Sequence, residues 1–243
     1  MSGHSRWKQI KHKKEAADKK RGGLFSKLAK AITVAARKGT YPEMNTQLRL
    51  AIQRARGANM PSENIERAIA RSDPAKADAE LFEVTYEAYA PGGSALLIEG
   101  ITDNKNRTAA EIKRILAEHG GKLAETGSVA WMFEKKGMVA LKTAENQNLK
   151  LPETELLLID SGAEEIADDA DGLTAVLPHE TRQQFIKELE SRGFTIRESY
   201  DAFIPKIKKL IDEGNTDTVE KLIEALEVHD DIQEVWSNIE ESR

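Results

Sequence analysis

The sequence predicts a mixed protein of class α + α/β, in which a small N-terminal three-helix domain precedes two ferredoxin-like α+β domains, one inserted in the other. Three observations predict this class. Apolar residues recur at helical spacing up to about residue 72, and the spacing then changes to the alternation of strands. Residues 138–200 contain the order strand, helix, strand, strand, helix, strand, which is the split ferredoxin-like motif. The 243 residues allow two or three domains of ordinary size.

The first helix is predicted by apolar residues that repeat every four positions. Leu24, Leu28 and Ile32 would form its inward face, and the glycine that follows this stripe is the expected stop. Lys27 and Lys30 lie off the stripe. We therefore expect these two lysines on a basic, outward face of the helix.

Two shorter helices complete the N-terminal domain. The second spans about residues 46–56 and would present Arg49 and Arg56 on its polar side. The third begins at Pro61, and Ser62 is the candidate N-cap. Turn-forming residues at 72–74 coincide with a change in the sign of the charge, so the domain boundary is predicted there.

The alternation that starts at residue 82 predicts a hairpin. Strands at 82–89 and 94–102 would be joined by a turn at 90–93, where glycines supply the positive φ angles that tight turns require. A helix at 106–119 and a strand at 128–137 follow. These elements would form an incomplete sheet covered by one helix.

The inserted domain is predicted from a complete series of elements. The series consists of a strand at 138–142, a helix at 153–161, strands at 163–167 and 172–178, a helix at 181–192 and a strand at 194–198. A later helix at 216–228 and strand at 231–236 need a sheet, and only the one at 82–134 is incomplete. We therefore expect domains at 1–76, at 77–136 with 200–243, and at 137–199 as the insertion; sequential folding into separate domains is the alternative.

The charge is distributed unevenly along the chain. Residues 1–72 contain 17 Lys and Arg against 5 Asp and Glu, a net charge of +12, whereas residues 73–243 have a net charge of −17. A basic block on an otherwise acidic protein is typical of a protein that binds a polyanion, because each cation that meets a phosphate releases a counterion. Nucleic acid is therefore the expected partner, and any protein partner of the acidic domains is unknown.

A basic arm at residues 2–21 precedes the first helix. It contains eight Lys and Arg, with Trp7 and Ile10 as its sizeable apolar residues. Trp7 either stacks on a nucleobase or pins the arm to the helices together with Ile10, and the scarcity of other apolar residues slightly favours stacking. The residues expected to contact nucleic acid are His4, Arg6, Trp7, Lys8, Lys11, Lys13, Lys14, Lys19, Lys20, Arg21, Lys27, Lys30, Arg49 and Arg56.

Catalytic signatures are absent from the sequence. The chain has no cysteine, which excludes disulfides, thiolate nucleophiles and cysteine-bound metals. The five histidines are scattered, and no phosphate-loop, zinc-protease or serine-hydrolase motif is present. No apolar run is long enough to span a membrane, and no secretory signal is visible. We expect a cytoplasmic protein that is not an enzyme, with no metal, no cofactor and no membrane partner.

The segment 103–108 joins a predicted strand to the start of a helix. Asn104, Lys105, Asn106 and Arg107 could bind an anion or RNA there, because a helix N-terminus favours negative charge. Alternatively, Asp103 or Asn104 simply caps the helix. The spacing alone favours the cap.

Five short motifs carry a resemblance to a known family. They are Gly3-His4-Ser5-Arg6-Trp7 with Ile10-Lys11, Tyr86-Glu87 with Pro91-Gly92-Gly93, Asp103-Asn104-Lys105-Asn106-Arg107-Thr108, Gly127-Ser128-Val129, and Asp231-Ile232-Gln233-Glu234-Val235. With these motifs the chain resembles the YebC/PmpR family over nearly its whole length.

The resemblance implies a cytoplasmic bacterial protein, or a mitochondrial counterpart that activates translation, with a helical N-terminal domain and two α/β domains, one inserted in the other. It implies a DNA-binding transcriptional regulator or, alternatively, a translation factor that acts on the ribosome at proline-rich stretches. It also adds weight to a functional role for the loop at 103–108. No helix-turn-helix spacing decides for DNA, and a basic arm with one aromatic residue suits folded RNA equally well.

Overall fold

The computed structural model describes residues 21–75, 79–142, 151–169 and 172–240. These residues form two compact units. One comprises residues 135–204, and the other comprises the N-terminal helices, the residues up to 134 and those from 205 onward. Among the described residues, no helix is both long and apolar enough to cross a membrane.

The elements follow one another in the predicted order of a helical region and then sheets. The helices are α1 (Arg21–Ala36), α2 (Thr46–Gly57), α3 (Ser62–Ala70), α4 (Lys105–Glu118), α5 (Leu151–Asp160), α6 (Arg182–Ser191) and α7 (Glu213–Val228). The strands are β1 (Phe82–Ala90), β2 (Ser94–Thr102), β3 (Lys122–Leu123), β4 (Phe133–Lys142), β5 (Glu165–Asp169), β6 (Gly172–Pro178), β7 (Ile196–Pro205) and β8 (Ile232–Ser237). The predicted fold class, a helical region followed by mixed α+β sheet domains, is confirmed.

The three N-terminal helices share one apolar core. Leu28 and Ile32 of α1 contact Leu48 and Ile52 of α2, and Ile65 of α3 closes the cluster. These are the residues that the helical spacing places on the inward faces. Burying such side chains contributes about 1.5–3 kcal/mol each, which offsets the entropy of ordering three short helices.

A buried asparagine fixes the loop between α1 and α2. The side-chain oxygen of Asn45 accepts the N–H of Leu48 at 3.1 Å, so Asn45 caps α2. Its amide nitrogen donates to the carbonyls of Ala35 at 2.9 Å and Gly39 at 2.7 Å. One side chain therefore caps α2 and ties its start to the end of α1.

The first sheet has the strand order β3–β1–β2–β8. The hairpin β1–β2 is antiparallel throughout, and β8 pairs antiparallel with β2. Helices α4 and α7 cover one face and bury Ile112, Leu116 and Leu222 against Leu96 and Ile98. The last helix and strand of the chain therefore complete the sheet that begins at residue 82.

The second sheet has the order β5–β6–β4–β7, which is the arrangement of a split βαββαβ unit. Strand β6 lies antiparallel between β4 and β5. Helices α5 and α6 contribute buried residues, among them Leu158, Phe185 and Leu189. The sequence places these elements correctly to within a few residues, except that β7 runs to Pro205 rather than ending at residue 198.

The strand predicted at 128–137 is wrong over its first half. Residues 130–132 form a short 3₁₀ helix, and β4 begins only at Phe133 and continues to Lys142 in the second sheet. The cause is Glu87 on β1. Its buried carboxylate accepts the N–H groups of Gly127 at 2.6 Å, Val129 at 2.6 Å and Ala130 at 2.9 Å, so these groups are not available to a strand. The two-residue strand β3 pairs with β1 and forms that edge of the first sheet.

The predicted cap of the third helix is also wrong. The helix begins at Ser62 itself, and the N-cap is Pro61, which provides no side-chain hydrogen bond. The proline ring has no group that can accept a hydrogen bond, so the helix starts without a side-chain cap.

Strand β2 comes very close to the start of β8 at Gly100. A β-carbon on Gly100 would lie 2.7 Å from the backbone oxygen of Asp231, which already accepts the N–H of Ile101 at 2.8 Å. We expect Gly100→Ala to lower the free energy of unfolding by about 1–3 kcal/mol, because the backbone must move. Chemical denaturation of the full chain measures this.

Gly57 provides the matched control. It lies at the end of α2 and a β-carbon there meets no atom within 4 Å. Gly57→Ala should leave stability unchanged or raise it by about 0.4–1 kcal/mol, because alanine restricts the unfolded chain. Equal destabilisation by both substitutions would show that the close approach at Gly100 is not a constraint.

Candidate nucleic-acid interface

The N-terminal helices carry a predominantly basic surface. Residues 21–62 contain eight Lys and Arg and one acidic residue, Glu43. Arg37 and Lys38, at the end of α1, and Arg56, on α2, are exposed. The ammonium group of Lys38 reaches the side chain of Gln47 at 3.2 Å, so the end of α1 lies beside the start of α2. These cations form a surface that a phosphate backbone could contact.

The sequence predicts that Lys27 and Lys30 face solvent, but in the structure both are partly buried. The Lys27 ammonium donates to the backbone carbonyl of Glu227, at the end of α7. The Lys30 ammonium donates to the carboxylate of Asp231 and to the carbonyl of Asp230 at 3.1 Å. Both lysines therefore bind α1 to the corner between α7 and β8, and the described contacts occupy them within the chain.

Asp231 is the centre of this contact. Its side chain is only 4% exposed. One carboxylate oxygen accepts hydrogen bonds from Thr108 at 2.6 Å, Thr102 at 3.1 Å and Arg107 at 3.1 Å, and the other is bound by Lys30. The carboxylate thus connects α1, the end of β2, the start of α4 and the start of β8.

The pKa values of these groups follow from their surroundings. Burial alone would raise the pKa of Asp231, but the hydrogen bonds and charges of Lys30, Thr108 and Arg107 outweigh it and hold the pKa far below its usual value. Burial lowers the pKa of the Lys27 ammonium, and the nearby carboxylates of Glu234 and Glu227 offset only part of this effect. Asp231 is therefore ionised over the whole physiological range.

The loop at 103–108 belongs to the same junction, by which we mean the residues bonded around the Asp231 carboxylate and at the adjacent end of α7. Asn104 caps α4 by accepting the N–H of Arg107 at 3.1 Å, as the spacing favours. The Arg107 guanidinium also binds Asp103 at 2.7 Å, and the Lys105 ammonium lies 4.4 Å from the ring centre of Phe82. Asn106 is exposed. Both cations of the loop thus have partners within the chain.

One group of potential metal ligands lies next to this junction. Glu111, His229 and Asp231 each offer an atom within 4.8 Å of the others. However, His229 bonds Glu111 at 2.7 Å through one ring nitrogen and receives the N–H of Asp231 at 3.1 Å at the other. Because two cations and two hydroxyls also bind the Asp231 carboxylate, these atoms do not suit a metal ion.

The remaining predicted contacts differ in how far the structure describes them. Arg49 is half-buried on α2, and Arg56 is exposed on the same helix. Arg21 begins α1, but its side chain is not described. The predicted contacts that lie outside the described residues are His4, Arg6, Trp7, Lys8, Lys11, Lys13, Lys14, Lys19 and Lys20.

Comparison with known proteins places the chain in a family. The model of the TACO1/YebC N-terminal domain matches residues 5–74, and that of the TACO1/YebC second and third domain matches residues 81–239. The chain belongs to the TACO1/YebC family.

Relatives of this family member match over nearly their whole lengths. A protein of Dictyoglomus thermophilum is 45% identical, with 99% of this chain and 96% of the relative covered, and one of Geobacillus kaustophilus is 43% identical, with 100% and 98% covered. Both are named "Probable transcriptional regulatory protein". The crystal structure of a conserved hypothetical protein from Aquifex aeolicus is similar at a TM-score of 0.79 and 38% identity, with 92% of each chain covered.

Two buried carboxylates of this family member have structural roles that the sequence does not predict. Asp231 and Glu87 lie within the motifs that indicate the family, but their partners are 40 or more positions away. Helical periodicity and cap spacing detect only neighbours in the chain. No local pattern therefore shows that either carboxylate is buried.

Asp231→Asn tests the junction. The amide removes the charge that Lys30 and Arg107 bind, and we expect a loss of about 2–4 kcal/mol in the free energy of unfolding, since a buried ion pair is broken on one side. Asp103→Asn is the control, because that half-exposed pair with Arg107 should be worth no more than about 1 kcal/mol. Denaturant titration of both variants measures the difference.

The same contact sets a pH dependence. Because the pKa of Asp231 is lower in the folded chain than in the unfolded chain, its stabilisation is fully present above about pH 5 and is lost as the pH falls below about 4. The Asp231→Asn variant should therefore lose less stability than the wild type between pH 5 and pH 3. Parallel acid-side slopes for the two proteins would rule out this role for Asp231.

Proposed function

We propose that this family member is a non-enzymatic, cytoplasmic nucleic-acid-binding regulator, with duplex DNA as its first candidate ligand, in keeping with a transcriptional regulatory protein. The observation that carries the proposal is the separation of charge, +12 over residues 1–72 against −17 over the rest. The names of the relatives support a regulatory role. The basic arm and the exposed cations of α1 and α2 would contact phosphates.

The distribution of side chains on α3 limits how DNA could be read. In a helix-turn-helix the second helix enters the major groove. Glu63, Glu66 and Arg67 are exposed on α3, and Arg67 is bonded to Glu63 at 2.6 Å. Two exposed carboxylates would be repelled by phosphates. Contacts to the nucleic-acid backbone, rather than base reading by α3, are therefore the mode that we propose.

This mode leaves structured RNA as a second candidate. A protein that recognises backbone shape through distributed cations can bind folded RNA as well as duplex DNA. The acidic face of α3 argues against a groove-reading helix and so removes the feature that would have favoured DNA. In this alternative the protein would act on the ribosome as a translation factor and relieve stalling at proline-rich stretches.

The roles of the carboxylates with shifted pKa values support the proposal that the protein is not an enzyme. An active site often reveals itself by carboxylates with shifted pKa values. Burial raises the pKa of Glu87, but the N–H groups of Gly127, Val129 and Ala130 outweigh it and lower the value overall. The pKa of Asp212 is lowered by the backbone and side-chain hydrogen bonds of Asn215, where Asp212 caps α7. The shifts of Glu87, Asp212 and Asp231 are thus all explained by contacts that hold the fold together.

Salt dependence tests the proposed mode of binding. If about six phosphates are contacted, the logarithm of the affinity for a duplex should fall against the logarithm of the salt concentration with a slope near −5. Fluorescence anisotropy with labelled duplex DNA and structured RNA measures both slopes. A slope near zero for both ligands would refute a binding mode based on phosphates.

The arm should act as a distributed charge. Replacing Lys11, Lys13 and Lys14 together by Ala should weaken binding to all sequences and flatten the salt slope by up to about 3, because three counterion-releasing contacts are lost. The control replaces three exposed lysines of the acidic part, Lys113, Lys187 and Lys221, with the same change in net charge. If the control weakens binding equally, the basic arm is not the contact.

Two substitutions of Trp7 distinguish stacking on a base from anchoring of the arm. If it stacks on a base, Trp7→Phe should keep most of the affinity, whereas Trp7→Leu should lose about 1–3 kcal/mol of binding free energy. If it merely pins the arm by apolar contact, the two variants should behave alike. Anisotropy titrations of the two variants decide between these roles.

A further inference from the structure

An exposed tryptophan stands on a rigid turn of the acidic part of the chain. Trp131 is 55% exposed, which is unusual for so large an apolar side chain. The turn beneath it is held by the Glu87 carboxylate, which is buried and accepts three backbone N–H groups from residues 127–130. The indole N–H donates to the carbonyl of Ser128 at 2.9 Å, which orients the ring. The ring is thus presented to solvent in a fixed position.

A basic segment runs beside this turn. The backbone N–H groups of Lys206 and Ile207 both point to the carbonyl of Met132, the residue after Trp131, at 2.8 and 3.4 Å. Residues 205–210 read Pro-Lys-Ile-Lys-Lys-Leu, so half of them are lysines within a part of the chain that has a net charge of −17. The backbone of this lysine-rich segment therefore begins directly beside the turn that carries Trp131, and the Lys209 side chain reaches the β1–β2 turn at Gly93.

Hydrogen bonds to Asn238 hold this segment in place. The N–H of Lys209 donates to the carbonyl of Asn238 at 2.7 Å, and the side chain of Asn238 donates to the carbonyl of Ile207 at 3.2 Å. Lys206 and Lys209 expose their side chains, while Lys208 pairs with Glu240 at 3.2 Å. Two large apolar side chains of the segment are also exposed, Ile207 by 47% and Leu210 by 66%.

A single-stranded nucleic acid has the chemistry that matches this surface. An aromatic face offers stacking to an unpaired base of any sequence, and neighbouring lysines neutralise its phosphates. A duplex offers the ring a base face only after a base step is unstacked, which costs a few kcal/mol. The combination of an ordered indole, adjacent cations and apolar flanks therefore selects for unpaired nucleotides.

We propose that Trp131, Lys206 and Lys209 form a second nucleic-acid contact, which binds unpaired nucleotides by stacking on Trp131 and by charge at the two lysines. This proposal rests on the proposed nucleic-acid function and extends it to a part of the chain whose overall charge is unfavourable for nucleic acid. The basic arm would bind backbone phosphates of either kind of strand, and the second contact would add a preference for unpaired segments.

The test uses the full chain with two labelled probes, an oligo(dT) strand and a duplex of equal length. Trp131→Leu should weaken binding to oligo(dT) by about 5- to 100-fold, because the π-face is lost, and should leave duplex affinity unchanged. Trp131→Phe should keep most of the oligo(dT) affinity. Unchanged oligo(dT) binding by the Leu variant would overturn the proposal.

A second variant tests the proposal even if Trp131→Leu prevents folding. Lys206→Ala with Lys209→Ala should flatten the salt slope for oligo(dT) by about 1.4, whereas the matched control, Lys113→Ala with Lys187→Ala, should leave it unchanged. If the Trp131→Leu protein does not fold, equal slopes for these two double variants overturn the proposal.

The outcomes for the two proposals are separable. Duplex binding that depends on the arm lysines but is indifferent to Trp131, Lys206 and Lys209 on every probe would leave the proposed function standing and remove the second contact. Failure of the wild-type chain to bind either probe at low salt would remove both.

Discussion

The buried carboxylate of Asp231 is the interaction on which the arrangement of the N-terminal helices against the first sheet depends. A single ionised group with almost no exposure would cost several kcal/mol to bury if it were left without partners. Here Lys30 of α1, Arg107 of α4 and the hydroxyls of Thr102 and Thr108 surround it. The partners come from three elements, α1, β2 and α4, so satisfying one charge fixes several elements at once.

This junction divides the cations of the chain into two kinds. Lys27, Lys30 and Arg107 belong to the junction, since their described partners lie within the molecule. Arg37 and Arg56 point outward. A basic region is thus both a candidate ligand surface and a structural connection, and its net charge overstates the number of cations that a nucleic acid could meet. In the proposed binding mode, we expect the phosphate contacts at the arm and at the ends of α1 and α2.

Local sequence patterns predict the features that depend on residues close together in the chain. The apolar stripe of α1, the Asn104 cap and the βαββαβ order each arise from residues close in the chain, and the structure contains all three. The strand expected at 128–137 is absent over residues 128–132 because Glu87, some forty positions earlier, accepts N–H groups there. Lys30 was expected to face solvent because its partner, Asp231, lies 201 positions away. Contacts of that range have no signature in local spacing.

The most direct test of the proposed nucleic-acid surface is ultraviolet crosslinking in cells, followed by mass spectrometry of the peptides joined to nucleotides and sequencing of the attached DNA and RNA. We expect crosslinked peptides within residues 1–72, where the basic charge lies. The attached sequences would then distinguish promoter DNA from ribosomal RNA. Crosslinks confined to residues 73–243, or no attached nucleic acid at all, would contradict the central claim that the basic N-terminal region is the contact.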